Sequence, residues 1–275
     1  MSDSSSAAAS VLDALAVPRG GIVYVQSSVD WMQRASLRAP EMLSALIDWS
    51  GSAGTVVMPN YPFHSTHKEY LATHPVFDVR RTPAGIGLMP EMFRRTGGVV
   101  RSLDPDFSVC ARGADAEAIV GVEPAGPDPF GLNSSYQRML ERPATLIGLG
   151  VSLNTNSFIH VIDSRAGSRY PVPVYEDIEY QTTAIDSLGD SHAVSRKCLR
   201  PPFQQLTNPS AIGPEMQPSA AVFATLEING ARFFKWDLAA WSSWCLSHAS
   251  AQAERGAWPC WLARLGGAFP VSQST

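Results

Sequence analysis

The sequence lacks paired cysteines. Cys110, Cys198, Cys245 and Cys260 stand far apart, with no C-x-x-C spacing. That argues against a thiolate zinc frame or a disulfide scaffold and points to buried thiols in a reducing compartment. A basic excess is missing too: 21 Lys and Arg against 25 Asp and Glu leave a net charge of −4, without the basic stripe of a nucleic-acid binder. No apolar run approaches the roughly 18 residues of a membrane span. The opening residues Met1-Ser2-Asp3-Ser4 carry no basic leader region of a secretory signal. The expectation is a cytoplasmic protein with neither a nucleic acid nor a membrane as partner. Walker A and H-E-x-x-H motifs, internal repeats and long linkers are likewise missing. At 275 residues the chain can bury one large core.

What is present reads as alternating strands and helices. Residues 1–10 are small and polar, the composition of a disordered tail, and 11–275 then form a single domain. Ile22-Val23-Tyr24-Val25 is β-branched and apolar, Glu41 to Trp49 carries an amphipathic stripe, and Thr55-Val56-Val57-Met58 is apolar again. Strand, helix and strand with short breaks form the βαβ signature of a largely parallel, two-sided sheet. A helix is expected over Leu88 to Arg95, with Thr82 as cap and Pro83 in its first turn. Strands are expected at Val99–Ser102, Ser108–Ala111 and Ala144–Ile147. From about residue 176 the pattern changes, and this part is expected to form a substrate-side subdomain. Val174 to Ile185 alternates like an antiparallel strand. Ala220–Ile228 and Trp236–Ala249 read as helices, and the tail after Val271 as frayed.

The chemistry concentrates after Ala144–Ile147. Gly148-Leu149-Gly150 forms a turn, Asn154 to Ser157 supply helix caps, and His160 and Asp163 then share one helical face. A carboxylate beside an imidazole can fix its tautomer and stabilise its protonated form, which suits a general base. The same spacing also arises in a plain helix-start pair. Ser152 lies in G-x-S-x-N, one glycine short of a hydrolase elbow. Ser27-Ser28 after the first strand is either an anion-binding turn or a plain polar one. His64 and His67 form H-x-x-H without a carboxylate framework, so no metal is assigned and a substrate-side loop is preferred.

Several short motifs occur in a fixed order: Ser27-Ser28, Gly54-Thr55…Met58-Pro59, Arg81-Thr82-Pro83…Gly85 or Gly87, Phe93-Arg94-Arg95, Arg101-Ser102…Pro105…Ser108, Pro129-Phe130-Gly131 and Gly148…Asn156-Ser157…His160…Asp163. Over roughly residues 11 to 175 this resembles the aminoglycoside 3-N-acetyltransferase family. The resemblance implies a three-layer α/β/α fold with a central mixed, largely parallel sheet, and an acetyl-CoA (acyl-CoA) cosubstrate without a metal. The acceptor it implies is a small-molecule amine of an aminoglycoside, a related aminosugar or another natural product.

The family segment N-T-S-x-H-x-x-E maps onto Asn156 to Asp163, with aspartate in place of glutamate. In R-S-x-H-P-x-x-S, Asp104 replaces histidine. The implied roles are His160 as base, Asp163 as its partner, and Ser108 or backbone amides near Gly148 to Ser152 as oxyanion donors. Ser27, Ser28, Arg81, Thr82, Arg101 and Ser102 would hold the cosubstrate. Asn156, Asp104 and Asp106 would meet the acceptor, the two aspartates attracting a polycation unless they are merely solvated. An acyl carrier protein thioester as donor, a homodimer, a hydrolase using Ser152 with His160, and a catalytically silent acyl-CoA binder all stay open.

Overall fold

The computed structural model describes residues 3–265; the tail expected to fray lies outside them. Ten strands run in chain order as β1 (Ile22–Ser27), β2 (Thr55–Pro59), β3 (Val76–Asp78), β4 (Val100–Arg101), β5 (Val109–Gly113), β6 (Ala144–Leu149), β7 (Tyr175–Ile185), β8 (Ser191–Leu199), β9 (Phe223–Ile228) and β10 (Ala231–Asp237). Seven of them make one sheet in the order β4-β5-β2-β1-β6-β10-β9. β1 pairs in parallel with both β2 and β6. The pairings outward of these three are antiparallel. The central strands are buried almost throughout, as strands covered on both faces must be.

Strand alternation divides the core in two. Tyr24, Val57 and Leu146 face one apolar cluster; Val23, Val56, Met58 and Ile147 face the other. On the second side pack α1 (Asp3–Ala14), α2 (Val29–Arg34), α3 (Ala39–Ser50) and α5 (Leu88–Arg94). On the first side pack α6 (Ala116–Val120), α7 (Ser135–Leu140), α8 (Ile159–Ala166) and α11 (Leu238–Glu254). The result is the expected three-layer α/β/α arrangement. α4 (His67–Thr73), α9 (Pro201–Gln205) and α10 (Ile212–Met216) complete the helices of the described residues.

Several expectations are corrected. The segment marked as disordered is helix α1 from Asp3 onward. Ala8, Val11, Leu12 and Leu15 are buried and recur at the spacing of a single helical stripe, which the serine-rich composition hides. The helix expected over Ala220–Ile228 is strand β9. Asn229 and Gly230 both take positive φ, 50° and 77°, and turn β9 back into β10 with Ile228 opposite Ala231, as an Asn-Gly hairpin does. The helix expected from Trp236 starts at Leu238, because Asp237 caps it by accepting from the Ala240 amide at 2.8 Å. Thr82 does not cap α5. Its hydroxyl accepts from the Asp78 amide, and α5 starts after Gly87.

A second, three-stranded sheet, β3-β7-β8, joins β3 in parallel to the β7–β8 hairpin. The change of character near residue 176 is this sheet, while the chain from Phe223 rejoins the main one. A cluster of buried charges fastens the small sheet to the loop between β4 and β5. Arg196 of β8 is fully buried. It reaches Asp106 at 3.0 Å and Asp104 at 2.5 Å, and donates to the Ala125 and Gly126 carbonyls. His67 closes the cluster on the other oxygen of Asp106 at 2.9 Å.

Candidate functional site

The site is built where β6 ends. Gly150 takes a φ of +68°, and a Cβ there would lie 2.8 Å from that of Trp31, so the tight exit needs glycine. Ser152 accepts from the Asn154 amide and starts a short 3₁₀ turn, Leu153–Thr155. Gln26, at the end of β1, grips that turn. Its side-chain amide donates to the Thr155 carbonyl, and its carbonyl accepts from the Thr155 hydroxyl at 3.2 Å. The Asn156 side chain then accepts from the Phe158 amide at 3.0 Å, and α8 begins.

His160 lies in the first turn of α8 with its side chain 18% exposed, and Asp163 one turn later is fully buried. Their nearest atoms, His160 Nδ1 and Asp163 Oδ2, are 3.8 Å apart. Neither atom has another hydrogen-bond partner among the described residues. The other oxygen of Asp163 accepts from the Tyr170 hydroxyl at 3.1 Å and from the Trp261 indole at 3.0 Å. Phe130 lies against the His160 ring at 5.3 Å between centroids. A small cavity of about 80 Å³ opens beside His160, with Asn156, Ser157, Gln204, Thr207 and Pro209 in its wall.

Behind the cavity, three buried tyrosines bring their hydroxyls together. Tyr61 lies 2.5 Å from Tyr136 and donates to the Ser157 hydroxyl at 2.9 Å, while Tyr24 lies 3.4 Å from Tyr136. Burial pushes the Tyr24 and Tyr136 hydroxyls well above their ordinary values. They stay protonated and act as donors and acceptors, not as bases.

A second and much larger cavity, about 1010 Å³, lies where the small sheet meets the β4 edge. Arg80, Arg81, Arg94, Arg95 and Arg101 line it. Arg80 and Arg81 share Asp78, and Arg94 and Arg95 share Glu91. The hydrogen bond from Arg94 holds the Glu91 carboxyl down at about 2. Arg101 is different. Its guanidinium donates to Ser108, to the Thr82 carbonyl and to the Asn60 carbonyl, and no ion pair holds it among the described residues. Burial lowers it to about 10, so it remains a cation at neutral pH. A backbone link joins the two cavities, since Arg101 holds the carbonyl of Asn60 and the next residue, Tyr61, holds Ser157.

The residues singled out in the sequence separate accordingly. His160, Asp163 and Asn156 come together, and Arg81 and Arg101 line the large cavity. Asp104 and Asp106 are not at an acceptor surface, because both are buried and held by Arg196. For Asp106, burial raises the carboxyl, but Arg196 and His67 outweigh it and hold it below the usual range. For Asp104 burial wins and Arg196 only partly offsets it. Ser108 is no oxyanion donor here: it is fully buried and its hydroxyl is spent on the Asn60 carbonyl at 2.7 Å. Ser102 accepts from the Val109 amide and is equally buried. Ser28 precedes α2 without a side-chain cap, and the Ser27 hydroxyl is buried without a hydrogen-bond partner among the described residues.

Of the two histidines in H-x-x-H, His67 serves the Arg196 cluster, and His64 is exposed. Ser152 serves as a turn cap. Tyr170, Trp261 and the tyrosine trio carry no local sequence signal; only the fold brings them to the site.

A family model for aminoglycoside 3-N-acetyltransferases matches residues 24–238. Aminoglycoside N(3)-acetyltransferase IV of Salmonella sp is 29% identical over 187 residues, covering 67% of this chain and 69% of the relative. Aminoglycoside N(3)-acetyltransferase VII of Streptomyces paromomycinus is 31% identical over 157 residues, covering 50% of this chain and about half, 54%, of the relative. Among solved structures, aminoglycoside acetyltransferase AAC(3)-Xa superposes with a TM-score of 0.72 at 20% identity, covering 89% of this chain and 91% of the other. The binary complex of AAC-IIIb with CoASH gives 0.71 at 20% identity, covering 99% of each. At these identities the structural likeness concerns the fold.

Proposed function

We propose that this chain, which belongs to the aminoglycoside 3-N-acetyltransferase family, transfers an acetyl group from acetyl-CoA to a primary amine of an aminoglycoside or related aminosugar, with His160 as the general base. The observation that carries the reading is the pairing of a buried carboxylate with a half-open imidazole at a cavity mouth. The amine must lose a proton as it attacks the thioester carbon. His160 takes that proton, and Asp163, facing Nδ1, stabilises the imidazolium that forms. The proton then leaves with the coenzyme A thiolate, so no acyl-enzyme is needed. The relatives named above are acetyltransferases, and one neighbour was solved with CoASH.

The arginine-lined cavity fits the cosubstrate. Coenzyme A carries a diphosphate and a 3′-phosphate, and a wall of guanidiniums offers charge-assisted hydrogen bonds to both. Arg80, Arg81, Arg94 and Arg95 would meet these groups, with Arg101 adding positive charge from beneath. The Arg80→Ala/Arg81→Ala double variant is expected to raise the KM for acetyl-CoA about tenfold with little change in kcat. Its KM should also depend less on salt, since salt screens exposed charges, with a Debye length of about 10 Å at 0.1 M. Initial rates at two ionic strengths check this.

The function itself is tested by thiol release from acetyl-CoA with and without a panel of aminoglycosides and simpler aminosugars. Release that requires the amine, with acetylated product, is expected. Equal release without amine would instead favour a hydrolase. Running the assay with an acyl carrier protein thioester asks whether the donor must be coenzyme A.

A further inference from the structure

We infer that Tyr170 and Trp261 are positioning residues for the His160–Asp163 pair: together they hold one carboxylate oxygen of Asp163 so that the other is presented to the imidazole. This rests on the reading of His160 as base. The two donors come from different parts of the chain. Tyr170 follows the short turn Gly167–Arg169 after α8, and Trp261 lies in the 3₁₀ segment Cys260–Leu265 near the C-terminal end of the described residues. Both converge on Oδ1, at 3.1 and 3.0 Å. Oδ2 and His160 Nδ1 are left as two buried polar atoms without hydrogen-bond partners among the described residues, 3.8 Å apart and facing each other. A buried polar atom left unpaired is costly. A small turn of the imidazole satisfies both atoms at once, and protonation of the ring strengthens the bond that forms.

The choice of donors suits the task. A carboxylate buried at 0% exposure needs hydrogen bonds to stay ionised, yet an arginine in that place would cancel the charge that the imidazolium needs. An indole N–H and a phenol supply bonds without charge, and an indole N–H is a donor only. They also offset the short reach of aspartate, because a clamped oxygen fixes the whole carboxylate plane. Trp261 is itself fully buried. Its carbonyl accepts from the Asn208 amide at 2.7 Å, between Thr207 and Pro209 in the cavity wall. The same segment therefore orients the carboxylate and shapes the place of the acceptor. Among the groups around Asp163, Tyr170, Tyr175 and Cys245 are all pushed up by burial and stay protonated at neutral pH.

The test is the pH profile of kcat/KM for amine-dependent thiol release by wild type, Tyr170→Phe and Trp261→Phe, alone and in an Asp163→Asn background. Each donor stabilises the ionised carboxylate, so the unprotonated pair loses most when a donor is removed. The acid limb is expected to move to higher pH by about one unit, the scale of one hydrogen bond to a charged group. kcat should fall about tenfold while the KM for acetyl-CoA holds. In Asp163→Asn neither substitution should cost anything further, since coupled residues are not additive. An unmoved acid limb, or a full cost in Asp163→Asn, overturns the inference. Tyr170→Phe removes only a hydroxyl and keeps the test sound if the Trp261 variant does not fold. Full activity in His160→Ala would overturn the base reading, whereas an inactive His160→Ala beside an unmoved acid limb defeats this inference alone.

Discussion

Replacing His160 by alanine is expected to lower amine-dependent kcat/KM by about a hundred- to ten-thousand-fold near neutral pH, the usual contribution of a positioned base. The loss should come without unfolding, because the ring is partly exposed and its Nδ1 makes no hydrogen bond; far-ultraviolet circular dichroism and Tm check this. The deficit also has a sign in pH. Without a base, the amine has to arrive already deprotonated, so the variant's rate should climb with pH toward the amine's own pKa and the gap to wild type should narrow. Thiol-release rates from pH 6 to 9 test both parts. Full turnover in His160→Ala, or a gap that widens with pH, would remove His160 from the mechanism.

The second large effect concerns stability. Arg196→Met is expected to cost at least about 3 kcal/mol of unfolding free energy, because it strands two buried carboxylates, Asp104 and Asp106, with the neighbouring amides and His67. The pH dependence follows from the sign of the shifts. In the wild type Arg196 helps hold Asp106 below the usual range, so that carboxylate adds stability above the ordinary aspartate pKa and loses it in acid. Without Arg196 the Asp106 carboxyl should rise above that value, and Asp104, which burial already holds above it, should rise further. The variant's deficit is then full at neutral pH and shrinks as pH falls and the carboxyls take up protons. Urea unfolding at pH 7 and pH 5 measures it. Adding Asp104→Asn and Asp106→Asn should restore part of the loss at pH 7. A deficit independent of pH would show that Arg196 matters by packing alone.

Much of the frame was legible because it is written locally. The apolar runs of β1, β2 and β6 announce buried parallel strands, and the spacing of His160 and Asp163 announces a helix with a histidine and a carboxylate on one face, though none of Asn154 to Ser157 is its N-cap, which is Phe158 without a side-chain cap. What escaped is written at long range or in both grammars at once. Asp104 and Asp106 look like solvated acids because Arg196 is 92 and 90 residues away. Ser108 looks available until Arg101 and Asn60 close on it. β9 reads as a helix because Ala-Thr-Leu suits either state, and the Asn229-Gly230 turn decides it. The arginine cavity could not be read as one place, since the fold brings Arg80, Arg94 and Arg101 from three elements to one wall.

The span between Asp163 and Trp261, 98 residues, also sets an order of events during synthesis. At roughly 5–20 residues per second, the helix with the imidazole and its carboxylate leaves the ribosome about five to twenty seconds before the indole that steadies it. On the proposed mechanism, a nascent chain can thus hold both His160 and Asp163 and still lack the geometry to use them. That geometry comes late, when the segment carrying Trp261 docks, and a fragment ending before Trp261 should have the His160–Asp163 pair but only the Tyr170 half of its clamp.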